Sequence, residues 1–121
     1  MADLTTLDIL RWGREVIANP DTFCVGVMAL DAKGRVAWSP IRGTFASACR
    51  FCSGGVLWAM HDRFGIPKRK FRMAQRMLCK AAGGKNENDW RPMIDTNNKG
   101  QSYAVAMWTR AIALAEKENH G

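Results

Sequence analysis

Cys49-Arg50-Phe51-Cys52 is the only C-x-x-C in the sequence, and that spacing can serve zinc binding or thiol chemistry. A tetrahedral zinc site would need two further ligands from among Cys24, Cys79 and His61. One C-x-x-C is a weak signal, and small thiols along a helix face are ordinary core material. We therefore expect no metal and no cofactor. A cysteine nucleophile at Cys52 would need a histidine oriented by Asn or Asp. His61 lies nine positions on, half a turn out of phase with Cys52 on a continuous helix, and His120 lies in the tail. Ser53-Gly54-Gly55 and Gly83-Gly84 lack the wider phosphate-loop pattern. No carboxylate pair stands out, so no catalytic residue is assigned and a non-enzymatic role is the favoured expectation.

The charge pattern points to binding instead. The chain has 18 Lys and Arg against 11 Asp and Glu, a formal net charge of +7. Eight of the bases, Arg63, Lys68, Arg69, Lys70, Arg72, Arg76, Lys80 and Lys85, occupy one stretch without a single acid. The other ten face all eleven acids, so the excess is local, and a localised basic surface implies an anionic partner. On a helix over 67–82, Phe71, Ala74, Leu78 and Ala81 share one face, while Arg69, Arg72, Arg76 and Lys80 share the opposite one.

The plain reading is the solvated face of an amphipathic helix. Two features argue for more. Lys68, Arg69 and Lys70 crowd the positive end of the helix dipole, where acids are preferred by roughly 0.3–1 kcal/mol each. No acid lies three or four residues away within the helix to relieve the repulsion. The expected anion-binding set is Lys68, Arg69, Lys70, Arg72, Arg76 and Lys80, and the expected partner is nucleic acid, somewhat ahead of an acidic protein. Zinc-finger spacing, an RNP signature and a placeable helix-turn-helix are lacking. Trp90 and Arg91, just beyond the basic helix, can stack on a base, although an interior Trp is commoner.

The elements that must position these groups are legible to different degrees. A first helix runs from Thr6 to Ala18, with Thr5 and Asp8 as a capping box and Asn19-Pro20-Asp21 as its stop. Two extended runs, Phe23 to Leu30 and Arg35 to Trp38, flank the turn Asp31-Ala32-Lys33-Gly34. Apolar periodicity predicts a second helix over 44–64, ending at Gly65. Gly54-Gly55 within it marks either a break or a close approach to the hairpin. After the third helix a polar connection runs from Lys85 to Gln101, and Ser102 caps a last helix with a Val105, Trp108, Ile112 and Ala115 stripe. The expected fold is α+β, a mostly helical single domain over 1–121 with about four helices and one short β-hairpin at 22–38.

A length of 121 residues suits one domain that needs no disulfide or metal for stability. Apolar residues at 47% and charged residues at 24% match a soluble globular protein. Residues Met1 to Arg14 lack the apolar run of a signal peptide, and no stretch approaches a membrane span. The expectation is a cytoplasmic protein with reduced thiols and no membrane association.

The order of elements, with Arg50-Phe51-Cys52-Ser53-Gly54-Gly55-Val56-Leu57 opening a helix and Asn97-Asn98-Lys99-Gly100-Gln101-Ser102 before the last one, resembles a small bacterial and phage family of unknown function. Its marks are an aromatic-Cys-Ala-x-Gly-Ala-Leu segment and a late Asn-Asp. Phe51, Cys52, Leu57 and Asn97 stand at the matching positions. Ser53 replaces Ala, the Gly pair blurs the register, and Asn98 replaces Asp. The resemblance implies a phage or mobile-element setting and no particular reaction. The motif has a structural reading, close packing at the Cys and Gly with an Asx-turn at Asn97. It also has a functional one, in which the Cys52 and Asn97 region serves a small-molecule-binding protein or enzyme.

Overall fold

Thr5 starts the first helix, α1 (Thr6–Ala18), by the expected capping box: Thr5 Oγ1 accepts from the Asp8 N–H at 3.0 Å, and Asp8 Oδ2 accepts from the Thr5 N–H at 3.0 Å. These bonds hold the Asp8 carboxyl below its ordinary range. The computed structural model describes residues 4–37, 47–86 and 88–118. Ile9, Leu10, Gly13 and Ile17 face the core from α1, while Trp12 is exposed and packs on Phe64 with ring centroids 5.0 Å apart.

The turn at Asp31 forms around its own carboxylate. Asp31 Oδ1 accepts from the N–H groups of Lys33 and Arg35, both at 2.9 Å, and Gly34 takes φ +80°, a left-handed value suited to glycine. Past the turn, Leu30 and Val36 form an isolated antiparallel bridge, and the Ala37 N–H donates to the Ala29 carbonyl. Trp38 lies outside the described residues. The main partner of β1 (Ala29–Leu30) is β2 (Arg50–Phe51), antiparallel, with Ala29 opposite Phe51.

That pairing corrects the second helix. It is α2 (Ser53–Phe64), not a helix begun at 44; residues 44–46 lie outside the described residues, and 47–52 are turn and strand. The N–H groups of Cys49, Phe51 and Cys52 donate to the carbonyls of Leu30, Thr22 and Met28, so they are committed to the small sheet and its loop. The periodicity of Phe45, Ala48 and Cys52 therefore does not extend the helix. Gly54-Gly55 serves both expected purposes, since it lies in the first turn of α2, and a Cβ at Gly55 would collide with the Met28 carbonyl. Bare backbone lets the helix start against the β1 segment.

The third helix, α3 (Lys68–Ala81), follows Pro67 as its spacing predicts. The stretch expected as a polar connection contains α4 (Arg91–Asn98), with Pro92 in its first turn, where a missing N–H costs nothing. Only Met93 and Asn97 of its eight residues are buried, an i, i+4 pair too sparse to register as an apolar stripe. The last helix, α5 (Gln101–Lys117), is capped by Gly100 and not Ser102, which is an exposed residue inside the helix. Gln101 Nε2 donates to the Ile17 carbonyl at 3.0 Å, tying its start to the end of α1.

Helix α5 is the axis of the fold, packed by α1, α3 and α4. Ala104, Met107, Trp108, Ala111 and Ala115 are its buried side chains. Trp108 is 0% exposed, and α1 comes so close at Gly13 that a Cβ there would collide with the indole ring. The protein is thus a mostly helical α+β domain. Among the described residues no helix is long and apolar enough to cross a membrane.

Candidate functional site

Along α3 the buried side is Phe71, Ala74, Gln75, Met77, Leu78 and Cys79, and Arg69, Arg72, Arg76 and Lys80 are all exposed, as expected. The six candidate cations do not share one surface. Lys70 is half-buried, and its ammonium donates to the carbonyl of Leu4, which draws it to the far flank of the helix. At the C-terminal end, Lys80 Nζ lies 3.2 Å from Glu118 Oε2, a paired and partly neutralised position. Glu116 reaches Arg11 instead, at 3.9 Å, and Asp89 accepts from the Lys85 N–H. Glu87 lies outside the described residues. No described acid pairs with Lys68, Arg69 or Arg72.

Beside these cations runs a groove of about 530 Å3. Lys68, Arg72 and Arg76 line it at i, i+4 and i+8, about 6 Å apart along the axis at 1.5 Å rise per residue. Trp58 from α2 and Trp90 from the start of α4 supply aromatic walls. Trp58 packs against Phe71, which also lines the groove, with ring centroids 4.5 Å apart, and is itself half-buried. Gln75 and Asn88 contribute amides. The residue types are those of a polar anion-and-base site: guanidinium and ammonium groups along one edge, indoles on the walls, amides between.

Sequence reasoning placed Trp90 next to the ridge but missed Trp58, Gln75 and Asn88. Trp58 sits on another helix, and no spacing rule links it to the basic segment. Gln75 carried a usable signal. It lies 40° around the helix from Phe71 and one position before Arg76, a polar residue on the border between the apolar stripe and the charged face.

The family-motif positions converge elsewhere. Phe51 is buried at the centre of the small sheet, Leu57 is 1% exposed in the core, and Cys52 caps α2, its Sγ accepting from the Gly55 N–H at 3.3 Å. Asn97 Oδ1 accepts from the Ser53 N–H at 2.9 Å and the Ser53 hydroxyl at 2.7 Å, and its Nδ2 donates to the Cys24 carbonyl at 3.3 Å. The Ser53 hydroxyl also accepts from Trp108 Nε1 at 2.9 Å, and Asn98 Oδ1 accepts from the Gly26 N–H. Every polar group of this buried set has a partner, so it works as a rigid node.

Cys52 and Asn97 do line one cavity, of about 220 Å3, with Met28, Gly54, Trp90 and Met93. Its walls are apolar, and burial raises the Cys52 thiol pKa more than the nearby N–H groups of Gly54 and Gly55 lower it. Burial likewise pushes Cys24 and Cys79 up to about 11. Cys49 is exposed, and the two cysteines of the C-x-x-C play unrelated parts. His61 turns Nδ1 to the Ile66 carbonyl, so it donates there. No three His, Cys, Asp or Glu side chains converge as a metal cage among the described residues. Comparison with protein-family models, curated proteins and solved structures finds no match to this chain.

Proposed function

We propose that this chain is a non-enzymatic accessory or regulatory protein, of phage or mobile-element type and cytoplasmic, that binds nucleic acid through the exposed side of α3. The observation that carries the reading is the groove in which Lys68, Arg72 and Arg76 line one edge and Trp58 and Trp90 the walls. Cations alone suit any anionic polymer, an acidic protein included. Indoles beside them favour nucleic acid, whose bases offer flat faces for stacking at every residue of the polymer.

Binding then falls steeply with salt, because each phosphate contact releases condensed counterions. The test is a mobility-shift titration of wild type and the Arg69/Arg72/Arg76/Lys80→Ala variant at several salt concentrations. We expect the wild type to bind and the variant to lose most of its affinity and much of its salt slope. Equal, negligible binding by both at low salt removes the reading. Displacement of the nucleic acid by far lower concentrations of polyglutamate would instead identify an acidic protein as the partner.

A second reading is supported by the shared cavity of Cys52 and Asn97, which is apolar and open to solvent on one side. It is a small-molecule site in this reading, and a thermal-shift screen of small apolar compounds tests it. At about 220 Å3 it falls below the roughly 300–1,000 Å3 of common ligand pockets, and the amide of Asn97 is already occupied.

A further inference from the structure

Gln75 is the side chain on α3 that neither the charge pattern nor the core explains. It is 6% exposed and lies on the inward side of the helix, yet its amide has no hydrogen-bond partner among the described residues. No fully buried side-chain nitrogen or oxygen is left unpaired among those residues. The amide atoms of Gln75 therefore keep some contact with solvent, and Gln75 lines the same groove as Trp58 and Trp90. An amide offering a donor and an acceptor from a recessed position, in a groove that two indoles also line, can read the edge of a flat heterocycle.

We infer that the groove holds an unpaired nucleobase of a single-stranded nucleic acid, stacked on the Trp90 and Trp58 walls. The Gln75 amide hydrogen-bonds the base edge, and Lys68, Arg72 and Arg76 lie along the flanking phosphates. This rests on the nucleic-acid reading above and narrows it. Bases in a duplex already stack on their neighbours and present only groove edges, so indole walls and a recessed amide gain nothing from them. A single strand can turn a base into the groove, where its face and its edge are both satisfied. The groove volume of about 530 Å3 suits a ligand of nucleotide size, given the roughly 300–1,000 Å3 of pockets that enclose small ligands.

The test is fluorescence anisotropy at fixed low salt with a labelled single-stranded DNA 20-mer of mixed sequence, the same sequence as a duplex, and homopolymers of dA, dC and dT. Wild type should bind the single strand at least roughly tenfold more tightly than the duplex. Trp90→Ala should lower single-strand affinity by roughly tenfold or more and weaken duplex binding far less. Because Trp90 also walls the apolar cavity, Gln75→Leu provides an independent variant. It keeps the volume and should leave overall affinity within a few-fold while flattening the ranking among the homopolymers.

Arg72→Ala should weaken single strand and duplex alike. Equal wild-type affinity for single strand and duplex, with Gln75→Leu indistinguishable from wild type while Arg72→Ala still weakens both, overturns this inference and leaves the broader reading standing. Absence of binding to every probe, by wild type as well as by the variants, overturns both.

Discussion

Asn97 Oδ1 accepts two hydrogen bonds from Ser53, one from its backbone N–H and one from its hydroxyl, across 44 residues of sequence. Its Nδ2 donates to the Cys24 carbonyl, and the Ser53 hydroxyl accepts in turn from Trp108. Two buried side chains thereby join the start of α2, the end of α4, the middle of α5 and the loop before β1. Asn97→Ala removes the acceptor of the Ser53 N–H and hydroxyl hydrogen and the Nδ2 donor to the Cys24 carbonyl, while the Ser53 oxygen keeps its bond from Trp108, at roughly 1–3 kcal/mol for each group left unpaired. Urea titration should show a lower midpoint with an unchanged slope. Asn97→Asp keeps the acceptor but buries a charge and loses the donor, and should destabilise more as pH rises through the carboxylate range.

Two glycines make a steric prediction whose sign opposes helix propensity. In a helix interior Ala is favoured over Gly by about 1 kcal/mol. Gly13→Ala and Gly55→Ala should nevertheless destabilise, by about 1–3 kcal/mol for overpacking and more where the obstacle is main chain. At Gly13 the obstacle is the Trp108 ring, and at Gly55 it is the Met28 carbonyl, so Gly55→Ala should be the worse of the two. Thermal melts of both variants rank them, and a stabilised Gly55→Ala would mean that α2 does not start against Met28.

How much of this was legible beforehand follows from the range of each interaction. Helix α1 was readable because its cap and stripe are local, and α3 because its two faces differ so sharply in character. The β2 strand was not readable: Arg50 and Phe51 pair with residues some twenty positions earlier, and apolar spacing around them mimics a helix. Helix α4 hid because only Met93 and Asn97 face inward in a polar octet. The Ser102 cap was a plausible local signal displaced by Gly100, whose φ of +132° few other residues adopt. Of the candidate site, the cations were visible in the sequence. Their aromatic and amide companions were not, since Trp58 and Trp90 come from separate segments and Gln75 gains its meaning only from where they sit.

The Lys80–Glu118 pair gives a prediction in which stability and binding part company. Both side chains are well exposed, so Glu118→Gln should change stability by less than about 1 kcal/mol. The same change releases Lys80 to extend the cationic edge of α3. Affinity for nucleic acid should rise a few-fold and the salt slope should steepen, which the anisotropy titration measures directly.

The thiols predict an ordered reactivity and an alkaline limit. Cys49 is exposed, whereas Cys24, Cys52 and Cys79 are held in their neutral form by burial. Limited iodoacetamide treatment of the native protein, read by peptide mass spectrometry, should label Cys49 first. For Cys24 and Cys79 the folded pKa of about 11 lies above the unfolded value near 9, so at high pH the unfolded chain binds fewer protons. Their contribution is complete below pH 9 and is lost as pH rises toward 11. Cys24→Ser/Cys79→Ser should flatten that decline in denaturant midpoint, even though its baseline stability is lower.

The buried node at Ser53 also sets an order of events during synthesis. Both of its side-chain partners, Asn97 and Trp108, lie downstream, by 44 and 55 residues. At about 5–20 residues per second, the start of α2 waits roughly 3–11 seconds after Ser53 is made before Trp108 is added to the chain. Throughout that interval α1, the small sheet and α2 exist without the axis they pack against. Closure of the domain therefore belongs to its last helix.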